Sequence, residues 1–77
     1  MSQQEKPKEL VNKTYEFLNI VGGSNISVEE AMSNAVKKAS KIQPNVSWFE
    51  FVKMTGAINK GEIIEYQVEL KVGYQSD

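Results

Sequence analysis

The sequence predicts an α+β fold of order β-α-β-β, in which a three-stranded antiparallel-type sheet of order 1-3-2 packs on one helix. Three observations predict it. Residues 28–42 carry apolar side chains at three- and four-residue spacing behind a capping serine. Residues 62–74 alternate between apolar and polar side chains. Asn59-Lys60-Gly61 separates that run from a second strand-like run before it.

The first strand is read in the stretch from Asn12 to Val21, where Thr-Tyr-Glu-Phe-Leu-Asn-Ile-Val is rich in aromatic and β-branched residues. Gly22-Gly23 is read as the turn that ends it. Gly22-Gly23-Ser24 ahead of a helix has the composition of an anion cradle. It lacks the spacing of a phosphate-binding fingerprint, so a simple turn is preferred.

Ser27-Val28-Glu29-Glu30 opens the helix, with Ser27 as cap and Glu30 placed to complete a capping box. Val28, Ala31, Met32, Ala35, Val36, Ala39 and Ile42 form its apolar stripe, and Lys37, Lys38 and Lys41 lie on the other face. The acidic start and basic finish suit the helix dipole. Pro44 blocks continuation, so the helix spans about 28 to 42.

Two longer strands follow, at roughly 46 to 58 and 62 to 74, joined by a three-residue turn with Gly61 left-handed. In the last strand Ile64, Tyr66, Val68, Leu70, Val72 and Tyr74 alternate with Glu65, Gln67, Glu69, Lys71 and Gly73. Register decides which way Trp48 points. A regular three-residue turn sends Trp48 inward and exposes Phe49 and Phe51, at about 1.5 to 3 kcal/mol each. A one-residue bulge at Thr55-Gly56 reverses this, since glycine supplies the backbone freedom that a bulge needs. The expectation is that Phe49 and Phe51 join Leu70 and Val72 against the helix, while Trp48, Glu50 and Val52 share the other face with Gln67, Glu69 and Lys71.

With strands 1 and 2 parallel across the helix, strand 3 fits between them, antiparallel to both. One helix covers one side of such a sheet. The other side, with Trp48, is either wet or buried in an assembly.

The organisation expected is a flexible N-terminal tail over residues 1–11, one domain over 12–75 and a short C-terminal end, 76–77. A domain this small buries little surface, and with no Cys for disulfides and no His among its residues, oligomerisation is the common remedy. Net charge is −1, and all nine basic residues are Lys. That balance argues against a nucleic-acid binder and removes the side chain best suited to bidentate phosphate contact. The N-terminal residues lack the apolar segment of a signal peptide and no stretch reaches transmembrane length, so the expectation is a cytoplasmic protein with no membrane partner. Sequons at Asn12, Asn25 and Asn45 matter only in a secretory compartment.

Trp48 and Gln67 are the first candidate site. An indole stacks on aromatic ligands, and a carboxamide offers donor and acceptor to a heterocycle edge. The same pair also suits a subunit contact. Glu50 and Glu69 fit a carboxylate pair for acid-base work, but an alternating Glu/Lys strand face accounts for them better. No hydroxyl has a plausible activating base, so the expectation is that the protein is not an enzyme.

Trp48-Phe49-Glu50-Phe51, the later Gly56, and Tyr66-Gln67-Val68-Glu69-Leu70-Lys71-Val72-Gly73-Tyr74 closely resemble the second and third strands of bacterial dodecins. Ile20-Val21-Gly22-Gly23-Ser24 and the helix with Ala31, Asn34-Ala35 and Ala39-Ser40-Lys41 resemble the rest, so the likeness runs from about Asn12 to Gln75. The resemblance implies a hollow homododecamer with its helices outside, binding FMN or riboflavin for storage and protection from photochemistry. Flavins would lie in antiparallel pairs between tryptophans of neighbouring subunits. By position, Trp48 would be the stacking platform and Gln67 the hydrogen-bonding group at the isoalloxazine edge. Some bacterial members also hold coenzyme A. Many have Arg before the glycine where this chain has Thr55, so Thr55 bears on the choice between FMN and riboflavin. The alternative is an oligomer of the same fold that serves a structural or protein-interaction role without flavin.

Overall fold

The computed structural model describes residues 13–76, and the tail expected over 1–11 lies outside them. The order is β1 (Tyr15–Ser24), α1 (Val28–Ile42), β2 (Val46–Asn59) and β3 (Glu62–Gln75). β3 lies between β1 and β2 and is antiparallel to both, giving the sheet order β1-β3-β2. The expected α+β architecture is therefore present.

The first strand does not stop at Gly22. It continues through Gly22 and Gly23 to Ser24, with Gly22 paired to Val68 and Gly23 to Gln67. The reason is packing, since a Cβ on Gly22 would lie 2.0 Å from the Ala31 carbonyl oxygen and 2.7 Å from the Ala35 nitrogen. Gly22 lets the helix backbone rest on the strand. Ala31, Ala35 and Ala39 form the buried stripe of α1 and meet Val68, Leu70 and Val72 of β3. Ile42, expected in the stripe, is half exposed beyond the sheet.

Ser27 caps α1, its Oγ accepting from the Glu30 backbone N–H at 3.0 Å. The reciprocal half of the capping box is not made by Glu30. Ser24 Oγ takes the Ser27 backbone N–H at 3.4 Å and that of Ile26 at 2.9 Å, so the strand end itself finishes the helix entry. Asn34 Nδ2 donates to the Gly23 carbonyl at 2.9 Å and ties the second turn to β1. Ser27→Ala is expected to lower stability by about 1 kcal/mol. Denaturant unfolding checks it, and an unchanged midpoint would show that Ser24 alone suffices.

The β2–β3 turn contains two residues, not three. Lys60 and Gly61 both have left-handed backbone (φ 53 and 80), as a tight hairpin turn requires, and Asn59 pairs with Glu62. No bulge occurs at Thr55-Gly56, where Gly56 pairs regularly with Tyr66. The shifts fall elsewhere. Ile64 is the extra residue on β3 and Val52 the extra residue on β2, so these two cancel, and Trp48 lies opposite Gly73 as in an unbroken two-residue hairpin. The expected faces thus hold for Trp48, Glu50, Phe49 and Phe51, through turn length instead of a bulge near Gly56. Val52, expected beside Trp48 and Glu50, is instead a bulge residue, and Lys53 takes the paired position opposite Glu69. Val52 and Lys53 together oppose Glu69, and Ser47 and Trp48 together oppose Gly73.

Phe49 and Phe51 pair with Val72 and Leu70 and share their face, but they do not join the core. They are 46% and 54% exposed, because α1 lies over β1 and β3 and hardly reaches β2. Met54, on the same side of β2, is exposed as well. At the far corner of the helix side, Tyr74 Oη donates to Glu16 Oε1 at 2.9 Å. That bond, together with desolvation and the carboxylate charge, raises the phenol above its ordinary pKa of 10.0.

Candidate functional site

The face away from the helix carries Tyr15, Phe17, Asn19 and Val21 on β1, and Gln75, Gly73, Lys71, Glu69 and Gln67 on β3. On β2 it carries Trp48, Glu50, Lys53 and Thr55. These follow from the pairing, since residues directly opposite on neighbouring strands share a face.

Trp48 is 37% exposed and lies at one end of this face. Its ring meets Tyr15 at a centroid distance of 5.4 Å and Phe17 at 5.7 Å, both edge-on with interplanar angles of 78° and 77°. A Cβ built on Gly73 would lie 2.4, 2.5 and 2.6 Å from Cζ2, Cε2 and Cη2 of the indole. Three bonded ring atoms at nearly one distance put that point over the ring face, not at its edge. The indole therefore lies flat on the Gly73 backbone, braced by two upright aromatic rings, with its second face turned outward. Beside it runs an open groove of about 620 Å³ lined by Tyr15, Asn45, Ser47, Trp48 and Gln75. Lys71 Nζ sits 5.3 Å from the centre of the Phe17 ring, a cation–π contact that closes the inner side of this aromatic group.

Gln67 lies on the same face but not at the same place. Gly73, opposite Trp48, and Gln67 are six residues apart on β3, which at the rise of an extended strand is about 20 Å. That separation exceeds a fused three-ring system, so one chain does not bring Trp48 and Gln67 onto one ligand. Thr55, in contrast, is directly opposite Gln67. Thr55 Oγ1 donates to Gln67 Oε1 at 3.4 Å, and Gln67 Nε2 donates to Glu65 Oε1 at 3.3 Å, so the amide is oriented from both ends. Val21, Lys53, Thr55, Gln67 and Glu69 line a separate groove of about 290 Å³. Lys53, opposite Glu69, faces this groove because the Val52 bulge turns it there.

Glu50 and Glu69 share the face but pair with Lys71 and Lys53, and Glu69 also accepts from Asn19 Nδ2 at 3.3 Å. This is the alternating charge ladder expected of an open strand face. Sequence reasoning missed Tyr15, Phe17 and Gly73. The signal was present: Gly73 interrupts the long side chains of the last strand at a slot which, in order 1-3-2, separates the Tyr15/Phe17 side of β1 from Trp48.

The family model for dodecin matches residues 14–77. The chain belongs to the dodecin family. A dodecin from Thermus thermophilus is 34% identical over 65 residues, covering 84% of this chain and 94% of that protein. Among solved structures, the dodecin from Streptomyces davaonensis is 41% identical with a TM-score of 0.79, covering 86% of this chain and 97% of that one. The dodecin from Streptomyces coelicolor is 36% identical with a TM-score of 0.80, covering 86% of this chain and 94% of that one. Among the described residues, the sheet order, the one helix and the long β2–β3 hairpin are thus those of a dodecin fold. No helix among the described residues is long and apolar enough to cross a membrane.

Proposed function

We propose that this dodecin binds flavin, as FMN or riboflavin, without turning it over, and stores and sequesters it in a hollow homododecamer in the cytoplasm. The observation that carries the proposal is the flat indole of Trp48, one face on Gly73 and the other turned outward beside an open groove. A planar, electron-poor isoalloxazine fits that surface, and stacking on indole drains its excited state by electron transfer, which is the protection that sequestration provides.

Because only the outward face of each Trp48 is free to stack, two copies are needed to enclose flavin from both sides, and a pair of flavins fills the space between them. The separation of Gln67 from Trp48 supports a shared site in which Gln67 from a neighbouring copy meets the isoalloxazine edge. Thr55 takes part by holding the Gln67 amide through its hydroxyl. Coenzyme A is a further candidate occupant of the shell, with no residue assigned to it.

Self-association is supported by the core. Val68, Leu70 and Val72 are the largest fully buried side chains among the described residues. At about 1.5 to 3 kcal/mol each they offset little of the entropy of ordering the chain. Phe49, Phe51 and Met54 stand exposed on one side of β2, an apolar strip that a second copy would cover.

Light scattering with and without added flavin tests the proposal. A particle of about 104 kDa, twelve times the 8.7 kDa chain, that extinguishes flavin fluorescence is the expected result. A particle of that mass indifferent to flavin would favour the purely structural oligomer, and a monomer would contradict both.

A further inference from the structure

Gly73 stands in a row that crosses the whole sheet, opposite Phe17 on β1 and Trp48 on β2. A glycine inside a central strand weakens it, having no side chain to pack and more backbone freedom to lose. Its backbone does not require it: among the described glycines only Gly61 has positive φ. Space requires it. Neighbouring strands run about 4.8 Å apart, so Phe17 and Trp48 spring from backbones about 10 Å apart. Their ring centroids are nonetheless 5.7 Å apart. The indole closes that gap by crossing over β3, and Gly73 is where it crosses. The bulge that sets Ser47 and Trp48 together against Gly73 re-aims the side chain at the same point.

We infer that Gly73 is the positioning residue of the site. By lacking a side chain it sets the plane of Trp48 before any ligand arrives, laying one indole face on the sheet and leaving a single outward stacking surface. The inference rests on the flavin reading for its ligand, but its geometry stands apart from that reading.

Gly73→Ala tests it. Trp48 is the only tryptophan, so indole emission excited beyond tyrosine absorption reports this site alone. In the flavin-free variant the emission should shift to longer wavelength as the ring is lifted from the backbone, and flavin affinity should fall at least about fivefold. Unshifted emission overturns the inference. A shift with unchanged flavin affinity upholds the positioning role and removes Trp48 from flavin binding instead. Should Gly73→Ala fail to fold, the double variant Gly73→Ala/Trp48→Ala decides. Folding restored to the level of Trp48→Ala alone supports the inference, because the added methyl then has nothing to strike. A double variant as damaged as the single one overturns it.

Discussion

Gly22→Ala will destabilise this protein by more than about 3 kcal/mol, beyond the usual range for one added methyl group in a core. The added carbon meets the Ala31 carbonyl oxygen at 2.0 Å, the Ala35 nitrogen at 2.7 Å and the Ala35 Cβ at 2.9 Å. None of these is the end of a flexible side chain. Relief requires moving α1 away from β1 as a body, and that opens the contact of Ala31, Ala35 and Ala39 with Val68 and Leu70. Denaturant unfolding at equilibrium measures the loss. Gly23→Ala is the matched comparison. Its Cβ would approach Glu65 Oε2 at 2.6 Å, the far end of a side chain that can swing away, on the face opposite the helix. The expected change there is within about 0.5 kcal/mol. Equal effects at the two glycines would mean that helix seating does not depend on Gly22.

Trp48→Ala is expected to weaken flavin binding by about 1 to 3 kcal/mol, the range for one base stacked on one aromatic side chain, or about five- to more than a hundredfold in affinity. Flavin fluorescence should recover in the variant, since the quenching partner is gone. The chain should still fold, because Trp48 is not among the buried residues of the helix-side core. Trp48→Phe keeps a smaller π-face and should fall between the two. Titration of flavin emission against protein concentration reads all three, and an affinity for Trp48→Ala equal to that of the parent would remove Trp48 from the site.

Local chemistry made much of the fold legible. Ser27, the three-four spacing and Pro44 mark the helix at Val28–Ile42, because a cap, a periodic stripe and a stop all act within a few residues. The alternation in β3 marks its two faces for the same reason. What depended on distant contacts was harder to read. Gly22-Gly23 has the composition of a turn, and only the arrival of α1 on Gly22 shows why a strand would keep glycine there. Phe49 and Phe51 lie on the helix side as their alternation requires, yet nothing in a strand pattern says how far across the sheet one helix extends. Register gave the correct face for Trp48 through the wrong device. A two-residue turn with two mutually cancelling bulges and a three-residue turn with one bulge have the same parity at Trp48, so the pattern alone does not separate them.

The same limit applied to the site. Trp48 and Gln67 were legible as residues of one face, and Thr55 opposite Gln67 gives that residue a contact the pattern did not foresee. The offset along β3 between Gln67 and the residue opposite Trp48 depends on register, so it was not countable from the sequence alone. The pairing shows one chain presenting two separate grooves, which the proposed shared site would join through a second copy.

In the proposed assembly, flavins stack on the outward face of Trp48, one for each copy of the chain. Stoichiometric titration of flavin with the intact protein, following flavin and tryptophan emission together, tests it most directly. Both emissions should be quenched in parallel, with the change ending at one flavin per chain. Flavin emission that stays constant in the presence of excess protein would contradict it.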